Sequence, residues 1–244
     1  MAFSIKPFIY TLVMLLFTVL IFETTSLDLF VQNSLYDFTE KHWLLSLDKG
    51  SMVHFIFYDG IKALLIIFAL ILLVLLLFFR KRPWVKERRK GLMTVLLSLI
   101  FIPMSVGIAK DISNVACPYK LTAYGGRIPY VGVFESYPDG LKPAQTQRCF
   151  PAAHASGGFA LLSLFFLART KKGRTQAVAA ALSVGWLMGG YKMLIGHHFL
   201  SHTLVSMIFS WLIICCIACV LHASFFRQIH SFIDKLRFLL DENS

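Results

Sequence analysis

Acidic residues are scarce in this chain. Thirteen Asp and Glu stand against 24 Lys and Arg, and charged residues of both signs fill only 15% of its 244 positions. A soluble globular domain carries about 25% charge. With 57% hydrophobic residues and a mean hydropathy of +0.69, the shortage excludes an ordinary soluble domain and favours one polytopic membrane domain. Patterns of DNA or RNA binding are also missing. The net charge of +11 comes from short basic clusters between apolar segments, the habit of cytoplasmic loops rather than of a nucleic-acid face. No small-residue cleavage site follows the first apolar segment, "ETTSLDLF" being a poor one. Residues 7–22 therefore read as a first transmembrane helix and not as a removable signal. Internal repeats and low-complexity tracts are absent.

What is present is a series of apolar stretches. A helix crossing the hydrocarbon core needs about 20 mostly apolar residues, and six segments approach this: 7–23, 58–79, 91–109, 152–169, 175–195 and 203–225. The fourth and fifth are rich in Ala, Gly and Ser, which suits helices packed closely inside a bundle. The clusters "RKRPWVKERRK" (80–90) and "ARTKKGR" (168–174), together with Lys6 and the residues Arg227, Lys235 and Arg237, fall on one side of six spans. The positive-inside rule makes that side the cytoplasm. The expectation is an all-α membrane protein, a six-helix bundle forming a single domain over 1–244, with both termini inside. "SLYDFTEKHWLLSL" (34–47) is expected as a helix, either lying in the interface or solvated in the outer loop, and 225–244 as a C-terminal cytoplasmic amphipathic helix.

Titratable groups gather at the opposite mouth. Lys110 ends the third span, His154 opens the fourth, and Lys192 lies near the end of the fifth, ahead of "GHHFLSH" with His197, His198 and His202. Ionisable residues at such depth are functional candidates, although each lysine could also snorkel to the interface. Lysines, histidines and a helix start with few carboxylates suit an anionic substrate, phosphate above all. Pro151 suits the first turn of the fourth helix, where its missing N–H costs nothing, leaving the N–H groups of Ala152, Ala153 and His154 to face an anion. One histidine can donate a proton to a leaving oxygen while a second attacks phosphorus, and lysines neutralise the equatorial oxygens. A metal is not expected. His198 and His202 have the i, i+4 spacing of HExxH, but Phe199 stands where the Glu would be.

These motifs resemble those of the type 2 phosphatidic acid phosphatase superfamily of membrane-integral lipid phosphatases. The pattern Lys-x6-Arg-Pro is matched by "KDISNVACP" with Lys110 and Pro118, Cys117 replacing Arg. Pro-Ser-Gly-His is matched by "PAAH" with Pro151 and His154. Ser-Arg-x5-His-x3-Asp is matched by "YKMLIGHHFLSH" with Lys192 and His198, Tyr191 replacing Ser and His202 replacing Asp. The resemblance, over about 91–225, implies a six-helix bundle without metal, acting on lipid phosphates or pyrophosphates. It implies His198 as nucleophile forming a phosphohistidine and His154 as general acid, with Lys110 and Lys192 on the phosphate. Arg148, or Arg127, is expected to replace the missing guanidinium. His202 is expected to accept a hydrogen bond from His198, and since a protonated His202 would repel the reacting imidazole, activity is expected to fall in mild acid. Glu135 or Asp139 could supply the missing carboxylate.

Cys117 and Cys149 bracket the outer loop. If that side is a bacterial periplasm, they are expected to form a disulfide, closing about 33 residues at a gain of roughly 4 kcal/mol. Cys215, Cys216 and Cys219 are expected to pack as small apolar residues. The enclosed loop, rich in Gly, Pro and Tyr, is expected to act as a substrate lid. The functional expectation is a multi-pass phosphatase of the bacterial inner membrane, cleaving a lipid phosphate or pyrophosphate at the periplasmic face. A lipid phosphotransferase of the same fold, or a non-catalytic protein that binds or moves anionic lipid, are the alternatives. No nucleic-acid partner is expected.

Overall fold

The computed structural model of the chain describes residues 6–45, 52 and 55–221. The expected amphipathic helix at 225–244 lies outside the described residues. Among the described residues there are seven α-helices: α1 (Lys6–Thr24), α2 (Leu27–Asn33), α3 (Ile61–Phe78), α4 (Pro83–Ser113), α5 (Ala153–Phe159), α6 (Lys171–Leu194) and α7 (Leu200–Leu221). Five of them, α1, α3, α4, α6 and α7, are long and apolar enough to cross a membrane. The protein is thus a mostly helical, multi-pass membrane protein.

The fourth expected span departs from a regular helix. Helix α5 has 7 residues and continues as a 3₁₀ stretch over Ala160–Phe166. The reason lies in how tightly this segment sits. A Cβ at Gly158 would come within 2.8 Å of the Gly185 backbone on α6, so the two helices meet backbone to backbone, as small residues allow in membranes. A 3₁₀ stretch rises about 2.0 Å per residue against 1.5 Å in an α-helix, so these few residues cover roughly 25 Å. The buried Phe159, Ile102, Ala181 and Ile214 form the core that surrounds this segment with α4, α6 and α7. Three buried hydroxyls are satisfied within their own helices: Ser98 donates to Thr94 O (2.7 Å), Ser206 to His202 O (2.8 Å) and Ser210 to Ser206 O (2.6 Å). That is the arrangement a lipid-immersed bundle requires.

The two basic loops meet at one end of the bundle. Arg169 forms an ion pair with Glu87, and Thr170 caps α6 by accepting the Gly173 N–H at 3.0 Å. At the other end, the stretch expected as a helix is instead a short hairpin, with Tyr36 opposite Trp43 and Asp37 opposite His42. Asp37 accepts the N–H groups of Thr39 and Glu40 (2.8 and 3.1 Å), and Lys41 takes a left-handed conformation, φ 55°. That side chain–backbone turn competes successfully with helix formation. Residues 46 and 47 of the expected helix lie outside the described residues.

The loop from 114 to 152 is ordered by its own contacts and by the end of α1. Cys117 and Cys149 form the expected disulfide. Asn114, left-handed at φ 51°, accepts the Gln147 N–H at 2.8 Å through its side chain and the Tyr137 hydroxyl at 3.0 Å through its carbonyl. Glu23 at the end of α1 accepts the N–H groups of Val133 (3.0 Å) and Phe134 (2.8 Å). Of the membrane cysteines, Cys215 and Cys219 are buried as expected, whereas Cys216 is exposed on α7.

Candidate active site

Four chain segments converge at this mouth: the end of α4, the start of α5, the end of α6 and the start of α7. Backbone hydrogen bonds fix them to one another. Ala152 donates to His202 O (3.1 Å), Cys149 to Val115 O (3.1 Å), and Tyr119 to Gly196 O (2.9 Å). Helix α6 ends in a tight turn in which the Lys192 carbonyl receives the N–H groups of both His197 (2.8 Å) and His198 (3.2 Å). Gly196 makes the turn possible. It has φ +71°, and a Cβ there would lie 2.1 Å from the Trp43 indole, so both conformation and space call for glycine.

His198 is buried, at 4% exposure. Its Nδ1 lies 3.3 Å from Nδ1 of His202, which is also buried and whose ring donates to the backbone carbonyl of Cys149. With that proton on the far nitrogen, Nδ1 of His202 is an acceptor, and Nδ1 of His198 is the donor facing it. Nε2 of His198 is then left with its lone pair. A neutral His202 relaying to a backbone carbonyl thus occupies the place of a carboxylate. Burial, followed by the charges of His202, Lys110, His154 and His197, holds the pKa of His198 well below the usual imidazole value. His197, half-buried, stacks on Tyr119 with ring centres 4.9 Å apart.

His154 sits in the first turn of α5, half-buried, with Lys192, Lys110, Lys62 and His197 acting on it electrostatically. Lys192 is 4% exposed and Lys110 is half-buried in the last turn of α4. Asp59, just before α3, balances part of the Lys192 charge. The structure therefore brings together His154, His198, His202, Lys110 and Lys192.

Other expected residues are placed differently. Arg148 forms an ion pair with Asp111, both side chains more than half exposed. Arg127 is exposed in the turn where its N–H binds Lys120 O (2.9 Å). Glu135 folds onto its own loop, accepting the Gly132 N–H at 2.7 Å, and Asp139 is exposed in a turn. Pro151 precedes the Ala152 cap rather than occupying the first helical position. The Ala152 N–H is spent on His202 O, so of the three expected outward donors only those of Ala153 and His154 remain at the helix start.

Sequence reasoning missed two groups. Lys62 lines the same groove as His154; being at a helix start near the interface, it reads as an ordinary flanking lysine. Asp28 is the other. It is 4% exposed, its Oδ1 accepts the Ser201 N–H at 2.8 Å, and its Oδ2 accepts the Ser201 hydroxyl. Burial lifts its pKa to about 6, against the pull of these two hydrogen bonds. An acceptor at a helix N-terminus stabilises by about 1 kcal/mol. Nothing in the spacing of "TSLDLF" marks a contact 173 residues away.

The metal reading meets a chemical obstacle. Among the described residues, the His/Cys/Asp/Glu group close enough to share an ion is Cys149, His198 and His202. Cys149 is in a disulfide and offers no thiolate, which leaves two imidazoles where zinc sites use three or four protein ligands.

A groove of about 510 Å³ leads away from His154. It is lined by Lys62, Leu65, Ile66, Ala69, Leu70 and Leu73 of α3, by Leu96, Leu99, Ile100 and Pro103 of α4, and by Ala153, His154 and Gly157 of α5 with Met188 of α6. Ile66, Leu70, Leu73 and Ile100 are exposed, so the apolar wall continues onto the bundle surface.

No curated protein and no solved structure matches the chain. The PAP2 superfamily matches residues 91–226, a stretch that carries Lys110, His154, Lys192, His198 and His202. Members of this superfamily are generally phosphatases, which supports phosphoryl-group chemistry on phosphate esters. The match covers more than half of the chain, which belongs to the PAP2 superfamily.

Proposed function

We propose that the protein is a multi-pass phosphatase of a bacterial inner membrane, with six crossings and both termini cytoplasmic. It hydrolyses a lipid phosphate or pyrophosphate at the periplasmic face through a phosphohistidine on His198. The observation that carries this reading is the apolar groove ending at His154 and Lys62. From Lys62 to Leu73 it follows about 16 Å of helix, at 1.5 Å per residue. A hydrocarbon chain can lie there while its phosphate reaches the histidines, and a water-soluble phosphoester would leave most of that wall unused.

Lys110 and Lys192 hold the phosphate oxygens, helped by the backbone N–H of Ala153 and by Lys62. Arg148 is engaged only by an exposed aspartate, a weak pairing, and can turn to an arriving headgroup. Nε2 of His198 attacks phosphorus as the bond to the leaving oxygen breaks, and His154 gives that oxygen a proton. The bound anion offsets the lysine charges around His154, which favours its protonated form. Water then attacks phosphorus, the P–N bond breaks, His154 takes the water proton, and phosphate departs. His202 keeps the His198 ring oriented and its tautomer fixed throughout.

The test is phosphate release from a panel of lipid mono- and diphosphates by detergent-purified protein, comparing wild type with His198→Ala, with and without EDTA. Release that survives EDTA and is lost in the variant is expected. Loss with EDTA would overturn the metal-free mechanism. Release that requires a second lipid acceptor would make the protein a phosphotransferase, and binding without release would make it a lipid-binding protein.

A further inference from the structure

Helix α7 carries the nucleophile turn at its start but has no local cap. Phe199 immediately precedes it and has no side-chain oxygen to receive the first free N–H groups. The acceptor comes from a distant part of the chain instead: Asp28 on α2, which takes both the N–H and the hydroxyl of Ser201. The same short helix reaches the other end of the turn. Gln32, fully buried, donates Nε2 to Met193 O at 3.1 Å, one residue before α6 ends. The following hairpin closes over the middle, with Trp43 against Gly196 and Leu45 N–H on Leu194 O at 3.3 Å. Beneath them Phe199 is packed among Tyr36, Tyr124 and Leu121.

We propose that residues 27–45, which lie outside the stretch matched to the superfamily, form the cradle that positions His198, with Asp28 and Gln32 as its two positioning residues. This rests on the reading of His198 as the nucleophile. The need arises from chemistry already described. With His202 in place of a carboxylate, no ionic partner restrains the His198 ring, and two neutral imidazoles 3.3 Å apart hold each other only through direction-dependent hydrogen bonding. The backbone on both sides of the pair must then be fixed from outside. Asp28 does so one residue before His202, and Gln32 does so five residues before His198. A phosphoryl transfer depends on in-line approach, so a small loosening of this turn reduces turnover more than it reduces substrate binding.

The experiment compares wild type, Asp28→Asn, Ser201→Ala and the double variant in detergent or nanodiscs. Two readouts are used: steady-state phosphate release, and hydrogen exchange of the 193–203 segment. Asn keeps an acceptor for the Ser201 N–H but places an NH₂ group against the Ser201 hydroxyl. The expected result is a fall in kcat of about 10- to 100-fold with KM changed by less than about threefold. Faster exchange is expected in 193–203, with exchange in the core of α4 unaltered. The double variant is expected to lose no more than Asp28→Asn alone, because one interaction is being removed twice. Unchanged kcat, additive losses, or exchange that rises across the whole bundle would each overturn the proposal, the last by reducing Asp28 to a general stabiliser. Failure of the phosphatase reading is recognised separately, as a wild type that releases no phosphate. The exchange of 193–203 in Asp28→Asn still decides whether the clamp exists.

Discussion

The two sides of the histidine cluster are built in opposite ways. Behind His198 the chain is tied down: Asp28, Gln32 and Leu45 bind the turn by hydrogen bonds, Trp43 covers Gly196, and the disulfide joins Cys149 to Cys117 next to the His202 ring. In front of His154 the walls are aliphatic, a groove of about 510 Å³ opens between α3, α4 and α5 with Lys62 on its lining, and lysines of three helices act on the His154 ring. On the proposed mechanism, precision is concentrated where the nucleophile is aimed, and room is left where a lipid with many conformers arrives. On the same proposal, backbone ties on the rear wall supply the orientation that His202, standing in place of a carboxylate, does not supply by charge.

Substitutions on the rear wall are expected to act on kcat, and those on the front wall on KM. The largest effect is expected for His198→Ala, a loss of roughly a thousandfold or more in phosphate release with lipid binding retained. Equal loss of binding would break the distinction between the two walls. Next, His202→Ala removes the acceptor for Nδ1 of His198 and is expected to lower kcat by about 10- to 100-fold, whereas His202→Asp should restore turnover by supplying a carboxylate acceptor. If Asp does no better than Ala, the relay from His198 to His202 is not what orients the nucleophile. On the front wall, Ala69→Trp fills the groove and is expected to raise KM for a long-chain lipid phosphate about tenfold, equivalent to 1.4 kcal/mol, with little change for a short-chain substrate. A matching loss for both substrates would sever the groove from substrate binding.

Smaller effects come from stability and pH. Reducing the disulfide, or replacing Cys117 and Cys149 by Ser, is expected to lower the thermal midpoint, the loop constraint being worth up to roughly 4 kcal/mol. An unchanged midpoint would show the loop to be held by Asn114 and Glu23 alone. The pKa of His198 is depressed by burial, below its unfolded value of about 6.5. Its neutral form therefore contributes stability that is fully present above that value and is lost progressively as pH falls from there through the lower folded value. Activity at pH 6 should then remain close to that at pH 7, which moves the acid limb below the mild-acid loss expected from sequence. Asp28 acts in the opposite sense. Its pKa, raised from 3.8 to about 6, makes its contribution greatest below pH 3.8 and diminished as pH rises through 6. Melting curves between pH 4 and 8 should show Asp28→Asn without that decline.

The membrane helices and the titratable cluster were legible in the sequence. Long apolar runs announce α1, α3, α4, α6 and α7 through composition alone, and Lys110, His154, Lys192, His198 and His202 stand out because polar groups are expensive at such positions. The ties behind His198 were not legible. Asp28 and Gln32 sit in a short polar stretch that reads as ordinary outer loop, and their partners lie more than 150 residues away. The hairpin at 36–43 reads as a helix because its mixture of apolar and charged residues satisfies an amphipathic pattern, while the Asp37 turn that decides the matter is a local side-chain effect. The break at Ala160 follows from the contact of Gly158 with Gly185, a tertiary constraint that hydropathy does not register.

The most direct test is to find the covalent intermediate. Wild-type protein and His154→Ala would be mixed with a lipid phosphate, quenched in alkali, digested, and analysed by mass spectrometry for phosphorylated histidine. His154 acts in both forming and hydrolysing the adduct, so a substrate with a good leaving group should let phosphohistidine accumulate on His198 in the His154→Ala protein. Phosphate on any other residue, or turnover by a wild type that never carries phosphate on His198, would contradict the account.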